Sequence, residues 1–274
     1  MFIYQKDFSQ GKIGLRIVGK IIVSTGRGGT GKSTFVALFT RYVDSHSILL
    51  IDLDPDESLA DMLGVDMGKE GKKTVSDALY DIIEENKRSG QTGHKPLSDL
   101  LGHMIKGGDC LYKGGKFALI SLGKKLTVGC YCDADDIIKS VIPELAQDYE
   151  EVVVDSPAGL EHLNRKITPD IDDLFVILDP SEKSTKHIER IKYVAKGVKI
   201  SYKHFYLVGN YRFNEQTEEY LRDTGETYLG KIDYDPAVRE YNLKGKSLLE
   251  LPENSPASLS VKKILEKAGY KTNV

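Results

Sequence analysis

The chain has 274 residues, with 38 lysines and arginines against 41 aspartates and glutamates, and a formal net charge of −3 at pH 7. Hydrophobic residues make up 40% and charged residues 29%, which excludes an intrinsically disordered chain, and the lack of excess positive charge predicts no nucleic-acid partner. Three cysteines exclude a disulfide scaffold. No signal-peptide pattern and no apolar run of about 18 residues is present, so we expect a cytoplasmic protein without a membrane span.

From residue 20 onwards, short apolar runs alternate with amphipathic helical patterns. Continuous Ile, Val and Leu runs are typical of strands covered on both faces. The alternation predicts an α/β fold, with a mostly parallel, twisted sheet flanked by helices on both faces. The predicted strands are Lys20–Ser24, Ser47–Leu53, Phe117–Ser121, Glu151–Asp155, Leu174–Leu178 and Phe205–Val208. The predicted helices are Lys32–Val43, Thr74–Glu85, Asp135–Ala146, Ser184–Ala195, Glu215–Asp223 and Ala257–Ala268.

Two segments depart from this alternation. The opening residues predict an edge hairpin that turns at Gln10–Gly11. Residues 89–116 contain seven glycines, and we interpret them as a long surface insertion. His94, His103 and Cys110 in that segment have no standard ligand spacing, so we expect them to be solvated or structural. Since the chain shows no repeat and no clear linker, residues 1–274 are predicted to form one domain.

A phosphate-binding loop follows the first predicted strand. Residues 26–34 read G-R-G-G-T-G-K-S-T and fit the pattern G-x-x-x-x-G-K-[ST]. Glycines allow successive N–H groups to converge on an anion, and the helix that begins there adds its dipole. Lys32 is predicted to reach the β- and γ-phosphates, and the Ser33 hydroxyl to bind Mg²⁺. The predicted nucleotide-binding residues are Gly26, Arg27, Gly28, Gly29, Thr30, Gly31, Lys32, Ser33 and Thr34.

A second cation, Arg27, directly follows the first loop glycine. The loop resembles the deviant Walker A pattern G-K-G-G-x-G-K-[ST] of the MinD and ParA ATPases and the nitrogenase iron protein, with Arg27 in place of lysine. This resemblance implies a P-loop NTPase that hydrolyses ATP to ADP with Mg²⁺ and dimerises when ATP binds. It also implies that Arg27 stabilises the phosphates of the partner's nucleotide, for which its planar fork is suited. The alternative is that Arg27 contacts the phosphates of its own subunit or is solvated.

Acidic residues stand at the ends of two predicted strands. Asp52 and Asp54 belong to the second strand and the turn after it, and Asp155 ends the fourth. Carboxylates at the carboxyl ends of parallel strands lie where α/β sheets bind ligands. The resemblance implies that Asp54 orients the attacking water and that Asp155 reaches Mg²⁺ through water. It leaves either Asp52 or Asp56 to help hold the ion, and a turn or helix-cap role is the alternative for each acid.

The same resemblance implies a base pocket built from two later segments. Asn210 follows the last predicted strand, and Asp235 and Pro236 form a second turn. The Asn210 amide offers one donor group and one acceptor to an adenine edge. A role as a turn residue is equally compatible with the sequence around Asn210.

A pair of cysteines, Cys130 and Cys132, follows a glycine and precedes several acids, which favours a loop. One pair supplies two soft ligands, whereas Zn²⁺ and similar ions are usually held by four. Two pairs brought together across a twofold axis would supply all four. Two separate core cysteines are the alternative, and a disulfide between such close neighbours is disfavoured by geometry.

The G-C-Y-C element, together with D-S-P-A-G-L-E-H at residues 155–162, resembles the CooC family of ATPases that assist nickel insertion into carbon monoxide dehydrogenase. This narrower resemblance implies a homodimer that binds Ni²⁺ or Zn²⁺ through Cys130 and Cys132. It also implies a client enzyme of the carbon monoxide dehydrogenase or acetyl-CoA synthase type. His162 is either a ligand or a residue that orders a helix after the strand. The alternatives are a ParA/MinD-type switch acting on DNA or membrane partners, and an ATPase that carries an iron–sulfur cluster.

Overall fold

The computed structural model describes residues 19–89, 97–124, 138–139, 142–159 and 170–273. The hairpin predicted at Gln10–Gly11 lies outside these ranges. So do His94, His162 and the cysteine pair Cys130 and Cys132.

The described strands form a single sheet in the order β3-β4-β2-β5-β1-β6-β7-β8. Neighbouring strands run parallel, apart from the β3–β4 pair, which is antiparallel. The mostly parallel sheet that the sequence predicts is therefore confirmed. The strands are β1 Lys20–Gly26, β2 Ile48–Asp52, β3 Tyr112–Lys113, β4 Phe117–Ser121, β5 Glu151–Asp155, β6 Asp170–Leu178, β7 Ser201–Gly209 and β8 Thr227–Lys231.

Helices pack on both faces of this sheet, as predicted. The helices in the described ranges are α1 Lys32–Tyr42, α2 Ser58–Leu63, α3 Val75–Ser89, α4 Leu97–Gly107, α5 Glu182–Gly197, α6 Glu215–Arg222, α7 Pro236–Leu243 and α8 Pro256–Lys267. A short 3₁₀ turn at Leu248–Glu250 joins the last two helices. Successive strand residues point to opposite faces, so the central apolar runs supply side chains to two separate cores.

The core beneath α1 and α8 is aromatic. The Phe35 ring of α1 lies 5.0 Å from the ring of Phe175 in β6, and Phe39 lies 5.1 Å from Tyr270 near the C-terminus. These rings are buried, and each buried aromatic side chain removes a large apolar area from water. This packing fixes α1, and with it the loop that α1 follows, against the middle of the sheet.

The prediction that residues 89–116 form a surface insertion was wrong for the described part of that segment. The segment contains α4 and β3, and Leu101, Ile105 and Cys110 are buried in the core. The glycines after α4 lie in turns, Gly108 with a φ of 90°, so they end the helix rather than loosen the segment. Cys110 is structural, since burial raises the pKa of its thiol to about 12.

No helix in the described ranges is long and apolar enough to cross a membrane.

Candidate functional site

A cavity of about 720 Å³ opens at the carboxyl ends of the strands. The loop between β1 and α1 forms one wall, and the segments that follow β7 and β8 form the other. The cavity thus lies between a glycine-rich loop and a polar wall on the other side. It suits a ligand that has an anionic group at one end and a less charged group at the other. The lining residues on the loop side are Gly28, Gly29, Thr30, Gly31, Lys32, Ser33, Thr34, Asp54, Ser58 and Met62.

Loop glycines take conformations that other residues avoid. Gly29 and Gly31 have φ angles of 73° and 98°, in the left-handed region. Gly26 lies close to β6, because a Cβ atom built on it would come within 2.3 Å of the Ile177 carbonyl oxygen. The fold thus requires Gly26 for close packing, whereas the other two glycines provide the curl of the loop.

Lys32 lies inside this loop with its ammonium group largely buried. Its Nζ donates to the Arg27 carbonyl oxygen at 3.3 Å, and the Thr30 hydroxyl donates to the same oxygen at 2.9 Å. Burial lowers the pKa of Lys32, while the charges of Asp155 and Asp54 oppose that change. A buried cation with a carbonyl partner gains most from an anion placed beside it.

Asp155, at the end of β5, is fully buried. Neither of its carboxylate oxygens has a hydrogen-bond partner of good geometry in the described chain. Burial raises its pKa to about 7, whereas the nearby Ser33 hydroxyl and the Lys32 charge act in the opposite direction. An unpaired buried carboxylate beside a hydroxyl fits a hard divalent cation such as Mg²⁺. No group of three or more His, Cys, Asp or Glu residues that could hold a metal occurs in the described ranges, so these residues supply only part of the ligands that such an ion requires.

The other two acids are arranged differently. Asp54 lines the cavity, and its Oδ1 accepts the Asp56 N–H at 3.0 Å in a tight turn. Asp52 is fully buried beside Asp155 in the β2–β5 register. Both Asp52 oxygens already accept backbone N–H groups, from Asp54 on one side and from Leu59 and Ala60 on the other.

Arg27 is held beside β6 by its own chain. Its Nη1 donates to the Ser181 hydroxyl at 3.3 Å and lies 3.7 Å from Asp179 Oδ2. The Asp179 carboxylate also accepts from the Ser181 N–H and the Ser184 hydroxyl. Residues Gly28 to Thr34 line the cavity, whereas the guanidinium of Arg27 is directed to the segment after β6.

The far wall of the cavity contains Asn210, which is buried directly after β7. Its Oδ1 accepts the Arg212 N–H at 3.0 Å, and its Nδ2 has no hydrogen-bond partner in the described residues. Asp235 also lines the cavity, but its oxygens accept the N–H groups of Ala237 and Ala257. Pro236 is the first residue of α7. Asn210 therefore has a free donor at the far wall, while Asp235 ties α7 to α8.

Two tyrosines that the sequence analysis did not single out flank this wall. Tyr211 and Tyr234 line the cavity, and their ring centroids are 5.5 Å apart with planes at 52°. Both rings are about half exposed, so each can offer a face to a planar ligand. A signal was present in the sequence, since one tyrosine follows Asn210 and the other precedes Asp235.

The comparisons with known proteins agree with this geometry. The family model for the CobQ/CobB/MinD/ParA nucleotide-binding domain matches residues 21–249. An uncharacterised ATP-binding protein of Methanocaldococcus jannaschii is 35% identical over 252 residues, covering 90% of this chain and 97% of the relative. The carbon monoxide dehydrogenase accessory protein CooC of Rhodospirillum rubrum is 24% identical over 243 residues, covering 86% of this chain and 90% of the relative.

Solved structures share the fold. A plasmid partition protein of Borrelia burgdorferi bound to AMPPNP superposes with a TM-score of 0.65 at 17% sequence identity, covering 91% of this chain and 98% of the other. The family match spans the loop, both acidic strand ends and the far wall of the cavity. The chain belongs to the CobQ/CobB/MinD/ParA family of nucleotide-binding domains.

Proposed function

We propose that the chain binds ATP with Mg²⁺ in this cavity and hydrolyses it to ADP and phosphate. The observation that carries the proposal is the pair formed by Lys32 and Asp155 at the floor of the phosphate loop. One is a buried cation with a carbonyl partner, and the other is a buried carboxylate with both oxygens unpaired in the described chain. A triphosphate with its metal ion would complement both groups, and the cavity of about 720 Å³ extends from the loop to Asn210.

In this proposal each side chain has a defined task. Backbone N–H groups of Gly28 to Thr34 and the Lys32 ammonium bind the phosphates, and Ser33 and Asp155 hold Mg²⁺. The ion, when bound, neutralises charge on the phosphate oxygens. Asp54, exposed to the cavity, orients the attacking water. At the other end, Asn210 Nδ2 donates to the base.

We infer that Arg27 stabilises the transferring phosphate of a partner subunit. Its guanidinium is paired with Asp179 and Ser181 in the single chain, so reaching a phosphate requires that it leave this pair. The side chain is 37% exposed, and an ion pair with that exposure is weak. A doubly charged phosphate can therefore replace Asp179 as its partner.

Replacing Arg27 tests the enzymatic proposal. We expect Arg27→Ala to lower ATP turnover by roughly a thousandfold or more, because an arginine finger contributes about that much. Steady-state phosphate release measures the rate, and Arg27→Lys is the matched control that keeps the charge. Undiminished turnover in Arg27→Ala would remove this role from Arg27, and wild-type protein without ATP hydrolysis would contradict the enzymatic proposal itself.

We further propose that the ATP-linked homodimer is a nickel-insertion accessory protein of the CooC type. Cys130 and Cys132 of two chains would bind one Ni²⁺ or Zn²⁺ ion, and ATP hydrolysis would loosen that site. A carbon monoxide dehydrogenase or acetyl-CoA synthase-type enzyme would be the client. The Cys-x-Cys element and the similarity to CooC at 24% identity support this.

Coupling requires that metal affinity differ between nucleotide states, since a ligand shifts an equilibrium only through differential affinity. The competing hypothesis is a ParA/MinD-type switch that acts on DNA or membranes. Co-sedimentation with DNA or liposomes in the presence of ATP distinguishes the two. An iron–sulfur carrier would instead show visible absorbance after anaerobic reconstitution.

A further inference from the structure

A single buried carboxylate connects both ends of the segment that carries Asp54. Asp52 ends β2 and is fully buried. Its Oδ1 accepts the Asp54 N–H at 3.0 Å, and its Oδ2 accepts the N–H groups of Leu59 at 3.1 Å and Ala60 at 3.3 Å. The turn after β2 and the start of α2 are thus fixed to the same side chain.

Other hydrogen bonds shape only the first part of this segment, where Asp54 accepts the N–H groups of Asp56 and Glu57 and the Leu53 N–H donates to the Asp155 carbonyl oxygen. Pro55 has no N–H to donate, and Glu57 adopts a φ of 55°, which costs energy for a residue other than glycine. The Glu57 side chain makes no capping hydrogen bond to α2. Because Asp52 accepts two N–H groups from the first turn of α2, it replaces that missing cap from a distance.

The two neighbouring acids at this edge of the sheet have different surroundings. Asp52 pairs with Asp155 in the β2–β5 register. Asp155 leaves both oxygens unpaired in the described chain, whereas each Asp52 oxygen accepts at least one N–H. An ionised carboxylate has about four lone-pair sites, and three of those of Asp52 already accept backbone N–H groups, so Asp52 has far less capacity left for a metal ion than Asp155.

We propose that Asp52 is the positioning residue for Asp54 and does not ligate Mg²⁺. By accepting N–H groups at both ends of residues 53–60, it sets the position of the Asp54 carboxylate at the cavity wall. This inference rests on the proposed ATPase function for its effect on rate, but the backbone arrangement can be measured without nucleotide.

The kinetic test compares Asp52→Asn with Asp155→Asn. Asn has the same shape as Asp but a single acceptor oxygen, so Asp52→Asn loses the hold on one end of the segment. We expect kcat to fall by about ten- to a hundredfold, because small misplacements of a catalytic group cost about that much. We expect ADP affinity and the Mg²⁺ concentration for half-maximal rate to stay within about twofold, whereas Asp155→Asn raises that Mg²⁺ requirement by about tenfold or more.

A rise in the Mg²⁺ requirement of Asp52→Asn as large as that of Asp155→Asn would overturn the proposal and make Asp52 a metal ligand. An unchanged kcat would overturn it as well.

Hydrogen exchange of the nucleotide-free protein gives an independent readout. Amides of residues 53–60 should exchange faster in Asp52→Asn than in wild type, while those of β5 keep their protection. If residues 53–60 exchange at the same rate in Asp52→Asn and in wild type, the positioning role is contradicted. This measurement applies even if the wild-type protein proves to hydrolyse no ATP, so failure of the proposed function and failure of this inference are distinguishable.

Discussion

At the scale of single residues, two side chains of the candidate site have buried polar atoms without a hydrogen-bond partner in the described chain. They are Asn210 Nδ2 at the far wall of the cavity and both Asp155 oxygens, which lie near Ser33 and Lys32 of the phosphate loop. A buried polar group left unpaired costs about 1–3 kcal/mol. A ligand that pairs with these groups recovers that free energy, so we expect both ends of the cavity to contribute to affinity.

Replacing Asn210 tests the base end of the cavity. We expect Asn210→Ala to weaken ATP and ADP binding by about 1–2 kcal/mol, or roughly five- to thirtyfold, because the proposed donor to the base is lost. Inorganic tripolyphosphate, which has no base, should bind the variant and the wild type equally in calorimetry. Asn214→Ala is the matched control, since Asn214 caps α6 and does not line the cavity. An equal loss for tripolyphosphate would show that Asn210 acts on the loop and not on the base.

At the scale of elements, the sheet edge opposite the cavity is held by one buried carboxylate and its partners. Asp173 of β6 is fully buried and contacts Lys20 Nζ of β1 at 2.6 Å and His204 Nδ1 of β7 at 2.7 Å. The Tyr270 hydroxyl, after α8, donates to Asp173 Oδ2 at 2.5 Å, the oxygen that Lys20 Nζ also contacts. These contacts hold the C-terminal segment against three central strands. Removing one partner of the buried Asp173 carboxylate should lower the free energy of unfolding.

Glu151, the first residue of β5, makes stability depend on pH at this edge. Its Oε2 is buried without a partner in the described ranges. Burial raises its pKa from 4.5 to about 7, although Lys20 and Lys116 oppose the rise. The folded state therefore binds this proton more tightly than the unfolded state. Its contribution is most favourable below pH about 4.5 and is lost progressively as the pH rises to about 7, by up to about 3 kcal/mol.

We expect Glu151→Gln to remove this dependence. The free energy of unfolding of the variant, relative to wild type, should increase between pH 5 and pH 8 in urea titrations. Glu150→Gln is the control, because its effect on the free energy of unfolding should have the opposite sign. Hydrogen bonds from the His46 N–H and the Ser45 hydroxyl lower the pKa of Glu150, so its loss should destabilise the protein near neutral pH. If the free energy of unfolding changes with pH in the same way in Glu151→Gln and in wild type, Glu151 does not cause this pH dependence.

The elements that the sequence predicted well are those with local signals. β1, β4 and β5 combine a continuous apolar run with a glycine, serine or aspartate at the end, and α1 follows directly from the phosphate loop. By contrast, β8 is short and includes Gly230, and its strand character depends on pairing with β7. Helix α4 was obscured by the glycines around it, although Leu101 and Ile105 have helical spacing.

The residues of the candidate site also differ in how well the local sequence predicted them. The loop residues are contiguous, so the motif identified the cavity wall that they form. The pairing of Arg27 with Asp179 joins residues more than 150 positions apart, and the link from Asp52 to Ala60 depends on how α2 begins. Tyr211 and Tyr234 meet only because β7 and β8 are neighbours. None of these contacts has a sequence pattern of its own.

At the scale of the whole molecule, the cavity mouth has features that suit a second copy of the chain. Leu243, at the end of α7, lines the cavity and is 77% exposed, and Tyr234 is 57% exposed. Single exposed apolar side chains are normal on a protein surface, and a dimer that formed across the cavity mouth would cover these two. In the proposed dimer around nucleotide, Arg27 would leave Asp179 for the partner's phosphate.

The proposed metal site also concerns the whole assembly, because Cys130 and Cys132 of one chain would supply only two of the four ligands that a tetrahedral site requires. If Cys130 and Cys132 form half of a shared site, about one Ni²⁺ or Zn²⁺ should bind per two chains with a non-hydrolysable ATP analogue. We expect Cys130→Ser combined with Cys132→Ser to abolish this binding without loss of the nucleotide-linked dimer. Cys110→Ala, which alters a buried core thiol, should keep it. Native mass spectrometry with elemental analysis in apo, ADP and ATP-analogue states measures both quantities. Metal retained by the double variant, or one ion per chain in the wild type, would contradict a site shared across the dimer.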